Sequence, residues 1–146
     1  MLNIILMKKK YLIIGGSGFI GSSILERLNK SKLKVEATYF KNKNFIPIKK
    51  VKYFKGDLRN FNYCKKITKM VDTVIMCAAV SSGSMIIQNN PMYHVDDNVL
   101  MNLNVLKACA KNKVKKFVFI SSNTVYPVSK KSMREKDVNY SLFINI

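Results

Sequence analysis

Three glycines at a spacing of three, Gly15, Gly18 and Gly21, stand between an apolar run and a helical pattern. That arrangement suits the seating of a pyrophosphate. Gly15 lets the chain leave a strand in a tight turn, Gly18 lets backbone approach the phosphates, and Gly21 lets a helix pack close to a sheet. The following helix offers unbonded N–H groups and the positive end of its dipole to an anion. Gly56-Asp57-Leu58 adds a carboxylate after a second apolar run; on its own Asp57 also reads as a turn-forming aspartate. Cys64, Cys77 and Cys109 share no metal-ligand or redox spacing. Cys77, in an apolar strand, and Cys109, on a helix, read as small core residues of a reducing compartment. His94 has no ligand partners at useful spacing, so no metal site is expected.

The elements that must hold these residues alternate strand and helix. Tyr11 to Ile14 runs into the glycines, and Ile20, Ile24, Leu25 and Leu28 follow at helical spacing. Leu33 to Phe40 alternates, with Val35, Ala37 and Tyr39 expected on one face. A loop over 42–47 leads to a short strand, Val51 to Lys55, and a weak helix over 61–68 precedes an apolar strand, Thr73 to Ala79. Ser81 to Pro91 reads as loop with at most a turn of helix. Val95 to Asn112 is the strongest helix. Val95, Val99, Leu103, Leu106 and Ala110 line one stripe and Met101, Val105 and Ala108 a second, so cover on more than one side is expected. Lys116 to Ser122 reads as a short buried strand. Short apolar runs alternating with helices argue for a parallel sheet with right-handed crossovers.

With 146 residues, nearly half of them hydrophobic, a single folded domain over 1–146 is expected. The 26 Lys and Arg against 8 Asp and Glu give a net charge of +18. So basic a chain adsorbs polyanions non-specifically. The lysines are nevertheless spread among Asn and Ile as a general bias, and Lys8-Lys9-Lys10 and Lys49-Lys50 read as solvated strand ends. Specific nucleic-acid recognition therefore has only charge in its favour. Leu2 to Leu6 is too short for a signal peptide, with its lysines on the wrong side, and Met7 is an alternative start. No stretch is long enough to cross a membrane, and a soluble cytoplasmic protein is expected.

Four motifs in order carry a family resemblance: Gly15-Gly16-Ser17-Gly18-Phe19-Ile20-Gly21, Gly56-Asp57-Leu58, Cys77-Ala78-Ala79, and Ser121-Ser122-Asn123-Thr124-Val125-Tyr126-Pro127. Over about residues 8–128 the chain resembles the N-terminal part of the extended short-chain dehydrogenase/reductase family, the NAD(P)-dependent nucleotide-sugar epimerases and dehydratases. The last motif and the run Asn98 to Asn104 look most like the GDP-fucose synthase branch. The resemblance implies an α/β, Rossmann-like, doubly wound parallel sheet of about five strands in the order 3-2-1-4-5, with flanking helices. It also implies that the C-terminal strands and substrate region are missing, with 129–146 an irregular or altered tail.

The same resemblance assigns roles. Gly15, Gly18, Phe19, Ile20 and Gly21 hold the pyrophosphate; Asp57 and Leu58 meet the adenine, whose exocyclic amine a carboxylate accepts. Ala78 and Ala79 let the cofactor lie close to the strand, and Asn98 matches an asparagine near it. Cofactor choice is read at the end of the second strand, where an acid serves NAD and a cation NADP. Tyr39 stands there with Lys41 and Lys43 following, which favours NADP and leaves NAD possible.

Ser122 matches the family's catalytic Ser/Thr, which hydrogen-bonds the reacting oxygen. The chemistry also needs a tyrosine acid/base and a lysine four residues on. A free phenol titrates near 10 and is a poor base at neutral pH, and a lysine ammonium lowers that value. In the family this pair comes roughly twenty residues beyond the Tyr126 position, past Ile146, and Tyr140 has Ile144 four residues on. Tyr126 and Pro127 therefore read as loop packing. The family's dimer interface combines the Val95 helix with the helix bearing that pair, so only half is expected here, and the last strand becomes an unpaired edge. Three readings follow. The first is the cofactor-binding portion of a nucleotide-sugar enzyme, catalytically incomplete alone, with a homodimer or a complementing C-terminal fragment as partner. The second is a non-catalytic NADP-binding sensor or partner module, and the third a basic nucleic-acid-binding protein.

Overall fold

The computed structural model describes residues 9–31, 33–42, 45–81, 84–122, 125–126 and 129–137. The expectations for Leu2–Leu6, Met7, Lys8, Lys43, Asn123, Thr124, Pro127, Tyr140 and the tail that follows it lie outside them.

The apolar run before the glycines forms β1 (Lys10–Ile14), and the helical pattern after them forms α1 (Phe19–Lys30). There follow β2 (Lys34–Tyr39), β3 (Lys52–Lys55), α2 (Phe61–Ile67), β4 (Thr73–Met76), α3 (Ser84–Asn89), a 3₁₀ turn (Pro91–His94), α4 (Val95–Lys111) and β5 (Lys116–Phe119). The sheet runs β3-β2-β1-β4-β5 and every pairing is parallel, the doubly wound order expected. β1 is its centre. Ile13 pairs with Ala37 on one side and Ile75 on the other.

Because strand side chains alternate, β1 feeds two cores. Leu12 and Ile14 join Val74, Met76, Met101, Val105 and Ala108 under α2 and α4, while Ile13 joins Leu25, Val35 and Ala37 under α1. All three β1 side chains are fully buried, each contributing about 1.5–3 kcal/mol from loss of water contact.

Several expectations are corrected by this packing. On β2, Val35 and Ala37 share one face as expected, but the strand lies inside the sheet, so Glu36 and Thr38 on its other face are buried too. Glu36 is tolerated there because the Lys10 ammonium lies 2.8 Å from its carboxylate. β4 stops at Met76, which leaves Cys77 beyond the strand, half-buried and packed against the edge of the Ile13 core rather than fully inside it. On α4 the second stripe is the buried one: Met101, Val105 and Ala108, with Asn104 and Cys109, pack inward. Val95, Val99, Leu103 and Leu106 are exposed instead. Both stripes are apolar, and the described part of the sheet covers one. β5 is shorter than expected and is an edge strand with exposed ends, not a buried one. Among the described residues no helix is long and apolar enough to cross a membrane.

α4 closes with two backbone bonds, Val114 N–H to Cys109 O and Lys113 N–H to Ala110 O. That is a Schellman ending, and it puts Lys113 at φ 55°, where glycine is the usual occupant.

Candidate functional site

At β1 the strand order reverses, since β2 lies on one side and β4 on the other. Loops leaving the carboxyl ends of β1 and its neighbours must diverge there and open a crevice. A cleft of about 420 Å³ occupies that place.

Its floor is the glycine turn. Gly15 sits at φ +84°, and a Cβ there would come within 2.7 Å of the Ala78 backbone nitrogen. β1 and the β4 loop therefore approach as closely as backbone allows. A Cβ on Gly21 would collide with the Gly15 carbonyl, so α1 can start directly behind the turn. Thr38 holds the turn from β2: its hydroxyl accepts from Gly15 N–H at 3.1 Å and its carbonyl from Gly16 N–H at 2.8 Å. Gly18 is the N-cap of α1 and has no side chain to bond the first-turn N–H groups, and no acid stands in that turn. These donors are left for an anion.

The walls come from three further loops. Tyr39, Phe40 and Lys41 line the cleft after β2; Asp57, Leu58 and Arg59 after β3; Cys77, Ala78, Ala79 and Val80 after β4. Arg59 lies over the Phe40 ring, 5.8 Å from its centroid, and pairs with Asp57 at 2.7 Å and with Asp97 of α4 at 3.1 Å. Hydrogen bonds from Arg59 hold the Asp57 carboxyl below the usual carboxylate range. Two asparagines of α4 fix the loops from behind. Asn98 accepts from Val80 N–H at 2.8 Å and donates to Val80 O at 2.9 Å. Buried Asn104 donates to the Leu58 and Arg59 carbonyls.

Of the residues singled out from sequence, Gly15, Gly18, Tyr39, Lys41, Asp57, Leu58, Ala78 and Ala79 line this one cleft. Phe19, Ile20 and Gly21 stand beside it in the first turn of α1; the Phe19 and Ile20 side chains are exposed, which leaves their backbone as the part able to meet a phosphate. Asn98 reaches the cleft only through Val80. Ser122 is exposed beyond β5 and is not among the described lining residues. Tyr126 and Lys130 stand four apart, but neither lies in a helix, so the spacing does not set them on one face. Thr38, Arg59 and Asp97 were not legible as site residues. The signal for Arg59 was its place two residues after Asp57; Asp97 gave none, being 38 residues away from Arg59.

Residues 11–143 match the NAD dependent epimerase/dehydratase family. The chain is 32% identical over 137 residues to GDP-mannose 3,5-epimerase 1 of Oryza sativa subsp. indica, covering 89% of this chain and 36% of that protein. It is 31% identical over 133 residues to the UDP-glucose 4-epimerase of Rickettsia bellii, covering 83% of this chain and 39% of that one. Among solved structures, the Thermus thermophilus UDP-glucose 4-epimerase in complex with NAD superposes with a TM-score of 0.76 at 28% identity, over 88% of this chain and 43% of that chain. The chain thus spans about two fifths of the length of such relatives.

Proposed function

The chain belongs to the NAD dependent epimerase/dehydratase family, and on that footing we propose that residues 1–146 are the dinucleotide-binding part of a nucleotide-sugar epimerase, dehydratase or reductase. A polypeptide of these residues binds cofactor and turns nothing over. The observation that carries this reading is the uncapped start of α1 behind a turn where Gly15 and Gly21 admit no Cβ, opening on a cleft at the order reversal of the sheet. When bound, the nicotinamide supplies a hydride acceptor and donor.

The chain's own groups orient it. The Phe19, Ile20 and Gly21 N–H groups meet the pyrophosphate, Ala78 and Ala79 leave room beside it, and Asp57 accepts from the adenine amine. Ser122 would hydrogen-bond a substrate oxygen. No described helix carries a tyrosine with a lysine four residues on: Tyr63 is followed by Ile67 in α2. Among the described helices, then, no such pair stands ready to draw a proton from a substrate hydroxyl at neutral pH.

NADP is the favoured cofactor. The end of β2 offers Tyr39 and Lys41 to the ribose and no carboxylate, and the Arg59 fork is already taken up by Asp57 and Asp97. Lys41 is therefore the cation for a 2′-phosphate. The GDP-mannose epimerase relatives, with the GDP-fucose synthase likeness of Asn98 to Asn104, favour a GDP-sugar for the whole enzyme. The exposed stripe of α4 suits a second copy or a complementing C-terminal segment; sedimentation of the sample as a monomer rejects the former.

Fluorescence titration with NADPH and NADH at low and high salt tests the reading. Saturable NADPH binding, in the high micromolar range or tighter, survives salt, and Lys41→Glu reverses the preference for NADPH by about tenfold. Binding that disappears with salt instead supports a purely electrostatic polyanion binder.

A further inference from the structure

The carboxylate expected to read the adenine is not free-standing. Asp57 receives three N–H donors of Arg59: the backbone N–H at 2.9 Å to Oδ1, Nε at 3.1 Å to Oδ1 and 3.0 Å to Oδ2, and Nη2 at 2.7 Å to Oδ2. Three hydrogens of Arg59, the Nε one shared between both oxygens, thus stand against the roughly four lone-pair positions of a carboxylate. The opposite corner of the guanidinium, Nη1, is held by both oxygens of Asp97, at 3.1 and 3.2 Å. Seven residues further along α4, two turns on and on the same face, Asn104 bonds the Arg59 carbonyl at 2.9 Å. Arg59 is thus fixed by α4 at both its side chain and its backbone.

We propose that Asp97 and Arg59 are positioning residues for adenine recognition: Asp97 holds the Arg59 fork, and the fork fixes the plane in which the Asp57 carboxylate meets the exocyclic amine. The inference rests on the reading of the cleft as a dinucleotide site. A planar fork clamped at three nitrogens cannot rotate without breaking a bond to one carboxylate or the other. Asp57 therefore meets the base in one orientation. The side chains of Arg59 and Asp97 remain more than a third exposed, so the pair adds little to stability. Its effect falls on discrimination between bases.

The discriminating measurement uses NADPH and its analogue in which a carbonyl oxygen replaces the adenine amine. That analogue offers no donor at this position and sets an oxygen against the carboxylate. Wild-type chain should prefer NADPH by about tenfold or more, as expected for a bond to a charged acceptor. In Asp97→Asn the preference falls to about twofold, chiefly by weaker binding of NADPH, while the melting temperature stays within a degree or two. Asp97→Glu restores part of the ratio. Arg59→Lys, which keeps the charge and loses the fork, lowers it as Asp97→Asn does. A ratio unchanged in both Asp97→Asn and Arg59→Lys overturns the proposal while leaving the dinucleotide site standing, as does wild-type binding with no preference. Wild-type chain that binds neither compound rejects the dinucleotide reading itself, and this inference with it.

Discussion

Gly18→Asp separates binding from folding, because the structure predicts opposite signs for the two. Gly18 has φ −84° and ψ 170°, extended backbone open to any residue. The nearest atom to a Cβ there is the Gly15 carbonyl oxygen at 3.3 Å, so a small shift admits the side chain. Aspartate is among the best N-caps, and its charge sits at the positive end of α1. The exchange from glycine should therefore stabilise the fold by about 0.5 kcal/mol, a rise of about 1–2 °C in melting temperature. For the ligand the same carboxylate is harmful twice over. It takes up N–H groups the pyrophosphate needs, and it sets like charge beside like charge. At about 4 Å and an effective dielectric constant near 20, one such pair costs about 4 kcal/mol, close to three powers of ten in Kd. Gly18→Asn caps without charge and should lose about tenfold or less. Thermal melts and NADPH titration of the three proteins check this. Gly18→Asp binding NADPH like wild type, or losing affinity no more than Gly18→Asn, would refute the assignment of the α1 N-terminus to the phosphates.

Two further outcomes follow from the coordinates. Lys113→Gly should raise the melting temperature by about 3 °C, since glycine relieves a left-handed residue at a cost of about 1 kcal/mol; an unchanged or lower melt in differential scanning calorimetry contradicts the Schellman ending. Cys77 lines the cleft with its thiol raised above the ordinary value by burial, while Cys64 and Cys109 are pushed up to about 11. The thiolate is the reactive form, so iodoacetamide labelling of native protein should speed up about tenfold per pH unit through pH 7–9, occur at Cys77 alone, and slow when NADPH is bound. Labelling at Cys64 first, or a rate indifferent to NADPH, would contradict the packing.

What the sequence made legible was local. Strand, turn and helix start lie within a dozen residues, and Gly18 and Gly21 meet the Gly15 carbonyl inside that span, whereas Gly15 itself answers Ala78 of the β4 loop. Gly16 shows the limit. It falls outside the spacing of three, yet a Cβ there would meet Ala37 and Leu25 at 2.7 Å, a constraint visible only once β2 and α1 are packed. The stripes of α4 show another. Val99, Leu103 and Leu106 are as apolar as Met101, Val105 and Ala108, so apolarity alone does not say which stripe faces the sheet. Asn104 carried that information: a buried asparagine needs partners, and the Leu58 and Arg59 carbonyls are reachable only from the inward face. The Arg59–Asp97 pair joins residues whose relation exists only in the fold.

The same distinction decides what the charge of +18 means. Among the described residues that line the cleft, Lys41 and Arg59 are matched by Asp57 and Asp97, two cations against two carboxylates. The lysines gather elsewhere: Lys34, Lys49, Lys50 and Lys52 surround a second groove at the amino ends of β2 and β3. From Lys34 to Tyr39 the strand rises about 17 Å, some two Debye lengths at physiological salt. Those lysines therefore exert little pull on a ligand seated at the carboxyl ends of the strands. A site built to collect polyanions would not neutralise itself in this way. On the proposed dinucleotide reading, the attraction of this balanced cleft for a diphosphate comes from fixed N–H groups at the head of α1, which added salt leaves in place while it dissolves the attraction of the lysine groove for any anion.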